Sequence, residues 1–291
     1  MEGVMAESEY SKYVVQELKS PFSPEVDAAY AKVAKRILWM DDKIVPGSAF
    51  QMSCSWYLKP IPGGPPAHTH AAPEILGFFG NDPDDPYNLH GEIEIWLGDQ
   101  KFIINKTAMV FIPPGLKHCP LRVNRIDKPI FHFSVVKAGQ WDASTLKETH
   151  KPEADYSKYI VTELKAPTFK PGFAERYKQF STRVLWMDKN VCPGAFQMNV
   201  SWYCKPVANN LSHVHEDSEI IAFFGGNAED PYNLNAEVEM WIGDLQNKLT
   251  RSTMLYAPAG VKHCPLIVHR ADQPIFHFSI VTGGTYNNLG K

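Results

Sequence analysis

The stretch AFQMSCSWYLKP, residues 49–60, alternates at every step. Phe50, Met52, Cys54, Trp56 and Leu58 fall on one side, and Gln51, Ser53, Ser55, Tyr57 and Lys59 on the other. A period of two marks a β-strand with one apolar face. The same stretch returns as AFQMNVSWYCKP, ending at Pro206. Working outward, KYVVQELKSP (12–21) returns as KYIVTELKAP (158–167), and ILWMD (37–41) as VLWMD (184–188). DPYNL (85–89), KHCPL (117–121) and PIFHFS (129–134) also recur, beginning at Asp230, Lys262 and Pro274. The offset narrows only from 147 residues at Trp39/Trp186 to 145 in the later motifs. So small a drift indicates duplication of a whole domain rather than a short solenoid repeat.

A chain of 291 residues suits two domains of about 145 each. Between the copies, residues 137–155 (KAGQWDASTLKETHKPEAD) are polar, lack apolar periodicity and read as a linker. The expected division is therefore 1–150 and 151–291. Further short strands are expected over 91–98, 101–104, 108–112 and 129–136, punctuated by Gly, Pro and Asp. Val26, Ala29, Tyr30, Val33 and Ile37 fit the spacing of a short helix ahead of the core strands. Its counterpart over 171–182 fits less well. The fold class read from this texture is all-β, with short N-terminal helical segments in each copy.

Composition narrows the function. Hydrophobic residues are 44% of the chain and charged ones 21%, enough for real cores. A net charge of -3 with scattered Lys and Arg argues against nucleic acid as a partner. No apolar run approaches twenty residues, so no membrane span is expected, and Met1 to Glu9 lacks the pattern of a secretory signal. Five cysteines with no CxxC pair support neither a zinc ribbon nor a disulfide framework. A cytoplasmic protein with reduced thiols is the plain expectation.

The chemistry gathers at His68-Thr69-His70, followed by Glu74 and, downstream, His118. The second copy has His213-Val214-His215, Glu219 and His263. Side chains at i and i+2 of a strand project from one face, so two imidazoles can reach one cation. The last histidines sit in PPGLKH and PAGVKH, where Pro and Gly make a tight turn that aims the ring inward. The gap from Glu to the final His is 44 residues in both copies, while neighbours such as Ala71-Ala72-Pro73 and Glu216-Asp217-Ser218 diverge. A divalent transition metal in each domain, iron, manganese, zinc or nickel, fits this set better than ordinary histidines do.

HxHxxxE followed by PxGxxH in a β-rich domain of this size resembles the two motifs of the cupins, and two such domains resemble a bicupin. The resemblance covers about residues 45–135 and 190–280. It implies two tandem double-stranded β-helix (jelly-roll) barrels with a metal in the mouth of each. Carried over residue by residue, the ligands would be His68, His70, Glu74 and His118 in one barrel and His213, His215, Glu219 and His263 in the other. The extra length between the motifs holds GNDPDDPYNLHG and GGNAEDPYNLNA. Oxalate-degrading bicupins place an arginine just ahead of the first ligand histidine, whereas GGPPAHTH and NNLSHVH have none, which lowers oxalate as substrate.

Three neutral imidazoles and one carboxylate leave a divalent ion with net charge +1, and octahedral geometry leaves two positions open. That set favours a reactive site over a closed structural zinc. Tyr57 and Tyr203, and His132 and His277 from the IFHFS motif, are the further catalytic candidates. The weightier alternatives are an outward polar face for the tyrosines and Lys59/Lys205, and a satisfied strand histidine for His132 and His277. Cys119 and Cys264 read as packing residues. The leading expectation is a metal-dependent bicupin enzyme acting on a small oxygen-rich or aromatic molecule, with dioxygenase-type chemistry first. Non-oxidative isomerase, lyase or hydrolase chemistry stands second, and a non-catalytic ligand-binding bicupin third. A monomer or homodimer is expected, because one barrel can cover the other's face.

Overall fold

The computed structural model describes residues 8–140, 148–165, 167, 172–209 and 211–285. The middle of the expected linker, 141–147, the start of the second expected helix and most of the N-terminal nonapeptide lie outside these residues. The first copy contributes β1 (Val14–Val15), β2 (Ala34–Met40), β3 (Gln51–Tyr57), β4 (Glu74–Gly80), β5 (Asn88–Leu97), β6 (Gln100–Lys106), β7 (Ala108–Ile112), β8 (His118–Ile126) and β9 (Ile130–Val136). The second contributes β10 (Ile160–Val161), β11 (Ser181–Met187), β12 (Gln197–Tyr203), β13 (Val207–Asn209), β14 (Glu219–Gly225), β15 (Asn233–Ile242), β16 (Leu245–Arg251), β17 (Thr253–Ala257), β18 (His263–Ala271) and β19 (Ile275–Val281). Each copy folds as a two-sheet barrel. The first faces β10-β7-β4-β9-β3-β2 with β6-β5-β8, and the second faces β1-β17-β14-β19-β12-β11 with β13-β18-β15-β16.

One strand in each six-stranded sheet comes from the other copy. Val14↔Leu255 pairs β1 with β17, and Ile160↔Val110 pairs β10 with β7. Close packing anchors the exchanged arms. The Tyr10 ring lies against Gly243 and the Tyr156 ring against Gly98, both glycines at positive φ (58° and 59°). A Cβ at either glycine would collide with the ring.

The helical segments are shorter than the spacing suggested. α1 covers Pro24–Tyr30, with Ser23 Oγ accepting from the Val26 amide and Pro24 at the first position. Val33 and Ile37 therefore lie outside the expected helix. Ile37 belongs to β2, where Ile37, Leu38, Trp39 and Met40 are all buried. Burial of this run between sheets outweighs the helical spacing of its apolar residues. α2 covers Phe173–Lys178. Strands β3, β5, β6, β7 and β9 fall close to their expected positions. β2, β4 and β8 are additional, and β8 opens with a register shift against β5 between Ile95 and Leu97 that breaks its alternation.

The expected outward polar face is a correction. The face of β3 carrying Gln51, Ser53, Ser55 and Tyr57 lines the barrel, since its cross-strand partners Val136, Ser134, His132 and Ile130 share the face of Glu74 and Phe78. The apolar faces meet between the barrels instead. Phe131 stacks on Phe276 with centroids 5.0 Å apart, Trp56 lies 6.0 Å from Phe276, and Phe133 lies 5.3 Å from Phe278. Both faces of each large sheet are thus covered, one by its own barrel and one by its neighbour. Only Lys59 and Lys205, beyond the strand ends, remain exposed. All five cysteines are unpaired. No described helix is long and apolar enough to cross a membrane.

Candidate metal centres

The ligand residues converge at one end of each barrel. The segment carrying His68 and His70 lies against the start of β8 through a His68↔His118 bridge, and His213↔His263 repeats this in the second barrel. Glu74 and Glu219 are the first residues of β4 and β14. The tight turns are present: Gly115 and Gly260 take positive φ (73° and 77°), and their amides donate to the carbonyls of His70 and His215. Backbone carbonyls orient the rings. The Nδ1 of His68, His118, His215 and His263 lie 2.8, 3.1, 2.8 and 2.9 Å from the carbonyls of Pro66, Leu116, Asp217 and Val261. A carbonyl only accepts, so Nδ1 carries a proton and Nε2 is the nitrogen turned inward, the one a metal ion would take.

The ligand atoms of His213, His215, Glu219 and His263 all lie within 4.8 Å of one another, and so do those of His68, His70 and His118. Glu74 stands at the edge of the first group, its Oε2 3.1 Å from His118 Nε2 and 3.4 Å from His70 Nε2. Glu219 Oε2 is closer in, 2.9 Å from His215 and 3.0 Å from His263. Each barrel thus carries one group able to hold a divalent metal ion.

The carboxylates are oriented from behind. Ser134 Oγ donates to Glu74 Oε1 and Ser279 Oγ to Glu219 Oε1, both at 2.5 Å. That occupies one oxygen and leaves Oε2 towards the imidazoles. Sequence reasoning passed over these serines, although the repeated PIFHFS ends on them. Burial tends to raise both carboxyls, but the adjacent imidazoles, His118 and His70 for Glu74 and His215 and His263 for Glu219, outweigh it and hold them well below the usual range. Burial, then His118, lowers His68; burial, then His263, pushes His213 down to about 4. His215 moves the other way, because Glu219 outweighs its burial and raises it.

Tyr57 and His132 form a pair, as do Tyr203 and His277, but neither pair reaches the ligand row. Tyr57 stacks on His132 at 4.7 Å, Phe78 covers the other side at 5.0 Å, and His132 Nδ1 donates to Gly77 O. Tyr203, Phe223 and Ala222 O hold His277 in the same way. His132 is opposite Phe78, four residues along β4 from Glu74, or about 13 Å. Burial pushes His132 and His277 down to about 4, so both are neutral packing rings at neutral pH. Burial also raises the Cys119 and Cys264 thiols, which stay protonated.

Arranged side by side, the barrels differ around the carboxylate. Ile112 is the register partner of Glu74, whereas Ala257 is that of Glu219. Ser53 sits opposite Ser134, whereas Asn199 sits opposite Ser279. His68 and His70 are buried, whereas His213 and His215 are partly exposed.

Two barrels of this topology in one chain, each with its histidines and glutamate at the mouth, make a bicupin fold. Solved structures of that fold are similar along most of the chain. AerE from Microcystis aeruginosa has a TM-score of 0.54 at 15% identity, over 93% of this chain and 99% of its own. A point mutant of Bacillus subtilis oxalate decarboxylase OxdC has a TM-score of 0.56 at 10% identity, over 87% and 73%. Lactobacillus farciminis oxalate decarboxylase, in its formate complex, has a TM-score of 0.55 at 14% identity, over 85% and 81%. No family model matches the chain, and no curated protein does.

Proposed function

We propose that the chain is a metal-dependent bicupin enzyme that acts on a small oxygen-bearing organic molecule, with dioxygenase-type cleavage as its leading reaction class. The observation that carries the reading is the convergence of three imidazoles and one carboxylate at each barrel mouth, with Nδ1 of His68, His118, His215 and His263 held on backbone carbonyls. A bound divalent ion would supply a Lewis-acid centre with two positions open to substrate or to substrate and dioxygen. The chain's own groups do the rest. His68, His70, Glu74 and His118 would hold one ion, and His213, His215, Glu219 and His263 the other. Ser134 and Ser279 keep the carboxylates on one oxygen. Leu76, Val110 and Ile112, or Ile221, Leu255 and Ala257, share the face of the carboxylate and form an apolar wall that excludes bulk water.

A non-oxidative lyase is the second reading, favoured by the oxalate decarboxylases among the similar folds. Oxalate itself is disfavoured by the missing arginine ahead of His68 and His213. Metal analysis of protein purified without chelator or oxygen tests the proposal. Two ions per chain are expected, falling to one in His118→Ala or His263→Ala and to none in the double variant. Iron with substrate-dependent oxygen uptake keeps the oxidative class. Manganese, zinc or nickel without oxygen uptake replaces it with the lyase reading. A chain that takes up no metal ends the enzyme proposal.

A further inference from the structure

The second barrel holds unused hydrogen-bonding capacity beside its ligand group. Gln197 is fully buried and Asn199 is 7% exposed. Neither Oε1 nor Nε2 of Gln197 has a hydrogen-bond partner, and Asn199 Oδ1 has none either. Buried amides almost always find partners, and burying one without them is costly. Their place in the sheet says what they face. Gln197 and Glu219 pair with Val281 from opposite sides, so all three side chains rise from one face, into the barrel. Asn199 is the register partner of Ser279, which donates to Glu219 Oε1. The two amides therefore flank the row that carries the metal-facing carboxylate. On the far side of Glu219 stands the smaller Ala257, where the first barrel has Ile112.

We propose, resting on the metal-dependent reading above, that Gln197 and Asn199 seat the hydroxyl of a small hydroxycarboxylate held at the second metal group. Whichever way each amide is turned, it offers one acceptor and one donor, so the pair suits a ligand that presents both. A hydroxycarboxylate does: its carboxylate binds the ion, and its hydroxyl donates to one amide oxygen and accepts from an amide NH2. Oxalate has only acceptors and would leave both amide oxygens orphaned. A site built to hydrogen-bond a hydroxyl rejects the analogue that lacks it far more strongly than an apolar site rejects an added methylene. The first barrel keeps Gln51 but has Ser53 in place of Asn199. The second barrel is thus the one fitted for substrate.

Tartronate and malonate differ by one hydroxyl and make the test. Calorimetric titration of the full chain, loaded with manganese at both sites, should show one site per chain that binds tartronate at least tenfold tighter than malonate. In Asn199→Ser, which installs the first barrel's residue, and in Gln197→Leu, the ratio should fall below threefold while metal content and malonate affinity hold. Equal affinities in the parent chain overturn the seat. So does a preference that survives in both variants with their metal retained. A chain that takes up no manganese overturns the functional reading as well, an outcome separate from metal-loaded protein that fails to discriminate.

Discussion

The two barrels are copies in which what holds the carboxylate has been kept and what surrounds it has drifted. His118 and His263, Glu74 and Glu219, and Ser134 and Ser279 occupy matching places with matching contacts. Around them Ile112 is replaced by Ala257, Ser53 by Asn199, and two buried histidines by two partly exposed ones. Duplication alone would leave the walls as alike as the ligands. Their divergence separates holding a metal, which both barrels can do, from admitting a ligand, for which the second is better shaped.

The largest effect expected within that comparison comes from the wall. Ile112→Ala removes a side chain that is 1% exposed and should cost about 3–4 kcal/mol in urea denaturation. An unchanged midpoint would show that the first barrel is not closed by Ile112, and the contrast in size would collapse.

Acid should loosen both copies, the second more than the first. His132 and His277 sit at about 4, against an ordinary 6.5. Below 6.5 the unfolded chain binds protons that the folded chain refuses. The stability these rings contribute is therefore complete above pH 6.5 and is lost as pH falls towards 4. For the buried His277 this amounts to about 2–3 kcal/mol, and to less for the partly exposed His132. His277→Gln should weaken the dependence of unfolding free energy on pH between 6.5 and 4; the same slope as the parent chain would remove the ring from this account.

The smallest effect concerns the arms. Gly98→Ala and Gly243→Ala should each lower stability by about 1–2 kcal/mol, with Gly243 the more sensitive. A Cβ there would lie 2.2 Å from the Tyr10 ring, against 2.7 Å from Tyr156 at Gly98. Thermal melts showing equal losses would mean that the two arms dock equally tightly.

Much of this was legible before any fold was known. Clean alternation placed β3, the spacing of His68, His70, Glu74 and His118 pointed to a metal-binding group, and the resemblance to the cupins supplied the barrel around it. Alternation says that two faces differ, not which one points inward. In a chain whose second barrel supplies the apolar cover, Trp56 and Phe131 turn outward to it, and Ser55 and Tyr57 turn in. The outward reading of the polar face failed there for a physical reason. Gln197 and Asn199 were hidden by the same inversion, since polar residues on an exchanged face look like solvent-facing ones. The crossing of β1 and β10 was also invisible, because KYVVQELKSP and KYIVTELKAP carry the same pattern whichever sheet they join.

That crossing sets an order of events on the ribosome. The first copy cannot complete its six-stranded sheet when its own last strand emerges, because the missing edge, Ile160–Val161, is still to be made. Val14–Val15 is made before every other described strand, yet it waits for Thr253–Ala257, in the far half of the second copy. Two barrels that look independent are tied into one folding event with very long-range contacts. A nascent chain halted near residue 150 would thus hold one unpaired sheet edge and one orphaned arm, and each is satisfied only by the half not yet made.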